Sequence, residues 1–201
     1  MDDFLKQLPE EIYQLTERCR AHVHKRFAIE LDFSSETLSV LDFFVEEMVK
    51  DENQGNSPKP GDARRMNMVQ LFAPTLGAYF GACLLQQFGG RFRHTEKDFT
   101  NWRFEFDSFF LRFNPAAVAA SVIARKEIDG LSPALIASAK QMPLLQERFD
   151  AAPDIPEDDY FSFCTWFESI QIANEFLAEV YQKDGREDCS PENYDLLLGD
   201  K

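Results

Sequence analysis

Residues 71–90 read LFAPTLGAYFGACLLQQFGG, an uncharged stretch with two glycines four positions apart. Three structures use such a sequence: a membrane span, a helix-pairing seam between subunits, or the central helix of a folded core. A span needs about 20 predominantly apolar residues. The uncharged run extends from Met66 to Gly90, but Asn67, Gln70, Pro74, Thr75, Gln86 and Gln87 interrupt it, and its strongly apolar part is too short. Gly77 and Gly81 let a second helix or an aromatic ring come close, inside a membrane or outside one. The spacing therefore predicts a buried central helix, kinked near Pro74 and closed by Gly89 and Gly90, one of them in the left-handed position beyond the helix end. A seam between two subunits is the second reading.

The rest of the composition agrees with a folded core. A chain of 201 residues suits one domain, large enough to bury a core without metals or disulfides. Apolar residues make up 44% and charged residues 28%, and 20 phenylalanines predict a core built from large flat rings. Cys19, Cys83, Cys164 and Cys189 lie far apart without metal-ligand spacing, the pattern of reduced thiols in a cytoplasmic protein. The N-terminal MDDFLKQLPEEIYQL has acids where a secretory signal needs bases, so no export is expected.

The net charge of −14 is polarised along the chain. Asp150 to Lys201 holds 14 acids against Lys183, Arg186 and Lys201, a net of −11, whereas Arg64 to Lys126 holds nine Lys and Arg against four acids, a net of +5. An acidic protein repels phosphates at long range, which argues against nucleic acid and anionic membranes as partners.

A pass along the chain yields mostly helices. Pro9 opens a helix with Ile12, Leu15, Cys19 and Val23 on one stripe. Ser34 caps a second, in which Leu38, Leu41, Phe44, Val45 and Met48 face inward while Asp42, Glu46 and Glu47 face water. KDENQGNSPKPGDA (50–63) reads as an exposed loop. After the central helix the period shortens: RFRH, NWRFEF and SFFLRFN alternate, with Trp102, Phe104 and Phe106 on one side and Arg103 and Glu105 on the other, predicting two or three antiparallel strands. Pro115 opens another helix, and Ser132 with Pro133 reads as the start of one through ALIASAKQM. The helix in YFSFCTWFESIQIANEFLAEVYQ is apolar over most of its circumference, so it packs on two sides. Residues 184–201 read as an acidic, flexible tail, in which Ser190 and Pro191 could cap one turn that docks Tyr194 and Leu196 to Leu198.

The segment LGAYFGACLLQQFGGRF, the strands after it and FNPAAVAASVI together resemble a pattern of small bacterial proteins of unknown function. Those have a Gly-x-Tyr-x-x-Gly helix ending in Gly-Gly, an aromatic strand pair, and Asn-Pro opening a helix. The resemblance covers residues 36 to 128 and implies an α+β domain without assigning a cofactor or an activity. Where the pattern often carries an acid after the second helix glycine, this chain has Ala82, which leaves no polar group at that point.

Catalytic and metal motifs do not emerge. The sequence holds no phosphate-binding glycine loop, no GxSxG elbow and no HExxH. Cys19 and His22 lack a second ligand pair for a metal, and Cys83 and Cys164 fall on apolar faces. The most suggestive polar set is Arg91, Arg93, Arg103 and Arg112, interleaved with Phe92, Trp102 and Phe104. On one face they would form a basic aromatic platform for an anionic ligand, single-stranded nucleic acid or an acidic protein; otherwise they are the wet side of the sheet, paired with Glu105 and the acidic C-terminal third.

The expectation is an α+β, mostly helical single domain over 1–183 with a small two- or three-stranded antiparallel sheet. Its expected function is that of a non-enzymatic cytoplasmic module, without cofactor, metal or membrane span, that binds another protein through its acidic surface or the sheet platform. The alternative is an enzyme or small-molecule binder with a pocket between the Gly77–Gly81 helix and the sheet, using Tyr79 and the arginines; a homodimer through the last aromatic helix is a third reading.

Overall fold

The computed structural model describes residues 3–50, 59–95, 98–184 and 189–197. Helix α3 (Ala63–Phe88) is the axis of the fold; from Thr75 to Leu85 every residue is buried, so that stretch leaves no face for solvent or lipid, while the first half exposes Asn67, Gln70 and Leu71. It is long and apolar enough to cross a membrane by length and composition alone, but 72% of its most apolar window lies inside the protein. The helix starts earlier than its uncharged run. Asp62 caps it by accepting a hydrogen bond from Arg65 N at 3.0 Å, and the helix runs on through Pro74 to Gly89, whose φ of 73° ends it.

Gly77 and Gly81 have the roles that their spacing suggested. A Cβ built on Gly77 would stand 2.6 Å from Ala116 Cα and 2.7 Å from Pro115 O, so α3 meets the start of α4 (Pro115–Ala124) backbone to backbone. A Cβ on Gly81 would stand 2.3 Å from Phe92 Cζ. Helix α4 is buried at every position, which its Ala-rich sequence permits at so short a separation. Asn114 caps it, accepting from Ala116 N and Ala117 N at 2.9 and 3.1 Å, while its Nδ2 donates to Phe99 O and Thr100 O.

Helices α1 (Glu10–Phe27) and α2 (Leu38–Val49) pack on the other sides of this pair. The buried stripe of α1 is Ile12, Thr16, Cys19 and Val23. Two of the α2 acids expected to face water do not. Asp42 accepts from Phe163 N at 2.7 Å and Cys164 N at 3.2 Å, capping α7 (Phe163–Asp184) across the fold. Glu46 pairs with Arg65 of α3 and with Arg125, the residue that ends α4 in the left-handed region. These contacts hold α2, α3, α4 and α7 together where the sequence pattern had suggested only a polar face.

The sheet has four antiparallel strands in chain order: β1 (Arg91–Arg93), β2 (Arg103–Glu105), β3 (Leu111–Phe113) and β4 (Ile136–Ala137). The fourth strand replaces the helix expected after Ser132–Pro133. Ser132 Oγ accepts from Ala134 N at 3.2 Å, a local turn, and Leu131, Pro133, Leu135 and Ala137 are buried between exposed neighbours, a strand period that the Ser-Pro signal had masked. Helices α5 (Met142–Asp150) and α6 (Glu157–Tyr160) come only afterwards. Register places Phe92, Phe104 and Phe113 in one row on the inner face, with ring centroids 5.4 and 5.8 Å apart, and Phe80 of α3 lies against Phe113. Large rings thus form the seam between sheet and helices, each burial contributing about 1.5–3 kcal/mol.

Candidate functional site

The outer face of the sheet gathers the arginines. Pairing sets Arg91, Glu105, Arg112 and Ile136 in one row and Arg93 beside Arg103 in the next, so all four arginines share a face. Arg91, Arg93 and Arg112 are half-buried and Ile136 is exposed, but the middle of this face is closed. Arg103 is 2% exposed and Glu105 not at all, because the C-terminal segment 189–197, with α8 (Pro191–Leu197), lies over them. Arg91 Nε donates to Glu105 Oε2 at 2.9 Å and Arg103 pairs with Glu105 Oε1 at 2.6 Å. Asp195 then bridges the second row, accepting from Arg103 at 2.6 Å and from Arg93 at 3.1 Å. Arg91 also donates to Asp107 at 2.8 Å and to the Cys189 carbonyl at 2.6 Å, with its guanidinium 5.4 Å from the Tyr194 ring centre. Hydrogen bonding from Arg103, with the positive charge of Arg93, holds the Asp195 carboxyl below its usual range.

Tyr194 is the anchor of this segment. Its hydroxyl accepts from Leu111 N at 3.0 Å and lies 2.7–3.0 Å from the carbonyls of Phe106, Phe109 and Leu111, to one of which it donates at a time. Its ring sits 4.7 Å from Phe110. Of the two sequence readings of this stretch, the Ser190–Pro191 turn that docks Tyr194 describes residues 189–197; Leu196 points away, 77% exposed, and Leu198 lies outside the described residues.

The remaining members of the predicted site behave differently from one another. Trp102 is buried, and it lines a cleft at one end of the sheet together with Arg103 and Arg112. Tyr79 is buried in the core, where its hydroxyl accepts from Phe33 N at 3.0 Å, shares a hydrogen bond with Thr37 Oγ1, and is pushed up in pKa mainly by burial. The space between the Gly77–Gly81 helix and the sheet, expected as a pocket, is filled by Phe92 and by α4.

Two concavities do occur elsewhere. The first, of about 1090 Å³, lies at one end of the sheet beside Trp102, Arg112 and Asn114. Several of its polar groups are engaged within the protein: Asp98 accepts from Thr100 N and Oγ1, Asn101 donates to Asp98, Asn114 caps α4, and Arg103 is held by Glu105 and Asp195. The second, of about 730 Å³, runs between α5, the 150–160 segment and α7. Met142, Phe149, Trp166 and Ile172 give it an apolar floor, and Ile155 and Tyr160 stand at its mouth, 45% and 42% exposed. Glu127, Asp150 and Asp154 line it, with no Lys, Arg or His among the lining residues. The indole Nε1 of Trp166 is enclosed and finds no hydrogen-bond partner among the described residues. Sequence reasoning packed this helix on two sides and missed the groove, since that requires α5 and the 150–160 segment to stand apart from α7.

Reactive groups fit packing roles. Burial pushes the Cys19 and Cys83 thiols up, and burial together with the Asp42 carboxylate pushes Cys164 up to about 12, so these sulfurs remain protonated near neutrality. All four cysteines are free, and no group of three or more metal-ligating side chains occurs among the described residues. No protein-family model, curated protein or solved structure matches the chain.

Proposed function

We propose that this chain is a non-enzymatic, cytoplasmic protein-interaction module that holds a protein partner in the acidic groove between α5 and α7. One contrast carries the reading. The arginine face, the other candidate surface, is largely covered by the chain's own Tyr194 and Asp195, whereas the groove keeps Ile155 and Tyr160 exposed at its mouth. Exposed apolar area rimmed by charge is the usual mark of a partner site. The buried thiols and the committed polar groups of the sheet-end cleft offer little to a reaction at either place.

A photo-reactive phenylalanine analogue placed at Ile155, and separately at Leu196 on α8, tests this in host lysate. A stoichiometric protein adduct from position 155 and not from 196 is the expected result. Equal labelling from both positions, or none from 155, refutes the groove as the partner site.

A further inference from the structure

The lining of the groove also specifies its occupant. Resting on the reading of the groove as a partner site, we infer that it takes a cationic amphipathic segment of another protein, with bulky apolar residues on the floor and Lys or Arg facing Glu127, Asp150 and Asp154. The charge argument is one-sided: three carboxylates line the groove, and no Lys, Arg or His is among the described residues that line it. Asp150 and Asp154 belong to the acidic C-terminal stretch, which has a net of −11 from residue 150 onward. An acidic peptide, a nucleic acid or an anionic lipid headgroup would bring like charge to that rim, and like charges set together across an interface oppose binding and exclude partners.

The floor fixes the other half of the chemistry. A volume of about 730 Å³ lies within the ~300–1,000 Å³ of ordinary binding pockets and accommodates a few large side chains rather than a whole element. Met142 supplies a flexible, polarisable wall that repacks around different apolar shapes. Ile155 and Tyr160, both half-exposed, stand where an incoming apolar residue would cover them. Rim cations and floor apolar groups in one segment describe an amphipathic peptide.

The test uses the full chain and a fluorescent synthetic peptide of leucine and phenylalanine alternating with lysine, beside a twin carrying glutamate at each lysine. Fluorescence anisotropy is expected to report binding of the cationic peptide and none of the twin. The triple variant Glu127→Gln, Asp150→Asn, Asp154→Asn should weaken binding roughly tenfold, about two- to threefold per exposed charge. A control triple of equal charge change on remote exposed acids, Glu10→Gln, Glu30→Gln, Glu36→Gln, should change it less than about twofold, which separates the rim from the general field of an acidic protein. All six positions hold surface acids, and unchanged thermal midpoints verify that the variants fold. Equal effects of the two triples, or equal binding of the twin, overturn the cationic occupant. If the position-155 adduct forms nonetheless, the groove stands as a partner site and only the charge class fails. If neither adduct nor peptide binding appears, both fail.

Discussion

Substituting Gly77 by Ala tests whether α3 is a core helix held at backbone distance from α4. The added Cβ would lie 2.6 Å from Ala116 Cα and 2.7 Å from Ala116 N and Pro115 O, against the ~3.5–4.0 Å of an ordinary carbon contact. All three atoms are backbone, so no side chain can swing away; the helices themselves must separate by about 1 Å. A gap of that size forfeits a quarter to a half of the dispersion energy of the atoms that line it. Overpacking of this kind costs about 1–3 kcal/mol, occasionally more, while Ala in place of a helical Gly returns about 1 kcal/mol. Because every contact at Gly77 is backbone, the upper end applies, and a net loss of about 2 kcal/mol is expected. For a chain of this size that lowers the thermal midpoint by about 4–8 °C. Circular dichroism melts and urea titrations measure it, with the midpoint falling at constant slope. An unchanged or raised midpoint would mean that only helix propensity is felt at this position, and would refute the close crossing of α3 and α4.

Three further outcomes follow from the contacts above. Tyr194→Phe removes the hydroxyl that receives Leu111 N and serves the carbonyls of the 106–111 turn, and should cost about 1–3 kcal/mol by urea titration; a variant as stable as the parent would show the hydroxyl contributes nothing. The Asp195 carboxyl is held low in the folded state, so the unfolded chain binds the extra proton: its contribution is present above the ordinary carboxylate range and is lost as pH falls through the lower folded value, and Asp195→Asn should flatten that part of the stability-versus-pH curve. Asp42 runs the other way. Desolvation raises its pKa despite the caps it provides, so the folded chain holds the proton longer and the contribution of Asp42 declines as pH rises from about 3.8 through its folded value; Asp42→Asn should remove this slope, and a slope that survives the substitution assigns it to another group.

Much of the architecture was legible because periodicity survives burial. Gly77, Gly81 and the inward Phe104 lie where spacing alone puts them. The arginines did fall on one face, and Glu105 with an acid of the C-terminal third did pair with them. What spacing could not convey was long-range. Asp42 has a helix-surface pattern, yet it caps a helix whose first turn lies 121 residues away. Ser132–Pro133 is a sound local start signal, overridden by pairing of Ile136 and Ala137 with β3. Tyr79 was drawn into the site only because a phenol on an apolar helix looks available; its partners Phe33 and Thr37 come from a segment that the sequence does not tie to it. The groove was invisible because it arises from what three segments fail to fill.

The covering of the sheet by residues 189–197 also sets an order of assembly. Arg103 waits for an Asp195 that lies 92 residues downstream, and Arg91 for a Cys189 carbonyl 98 residues on. At about 5–20 residues per second of synthesis, a nascent chain carries its finished strands for roughly 5–20 s before the segment that shields their charges leaves the ribosome. During that interval the salt-bridged rows face water, and acidic factors in the cell have access to arginines that the mature protein hides.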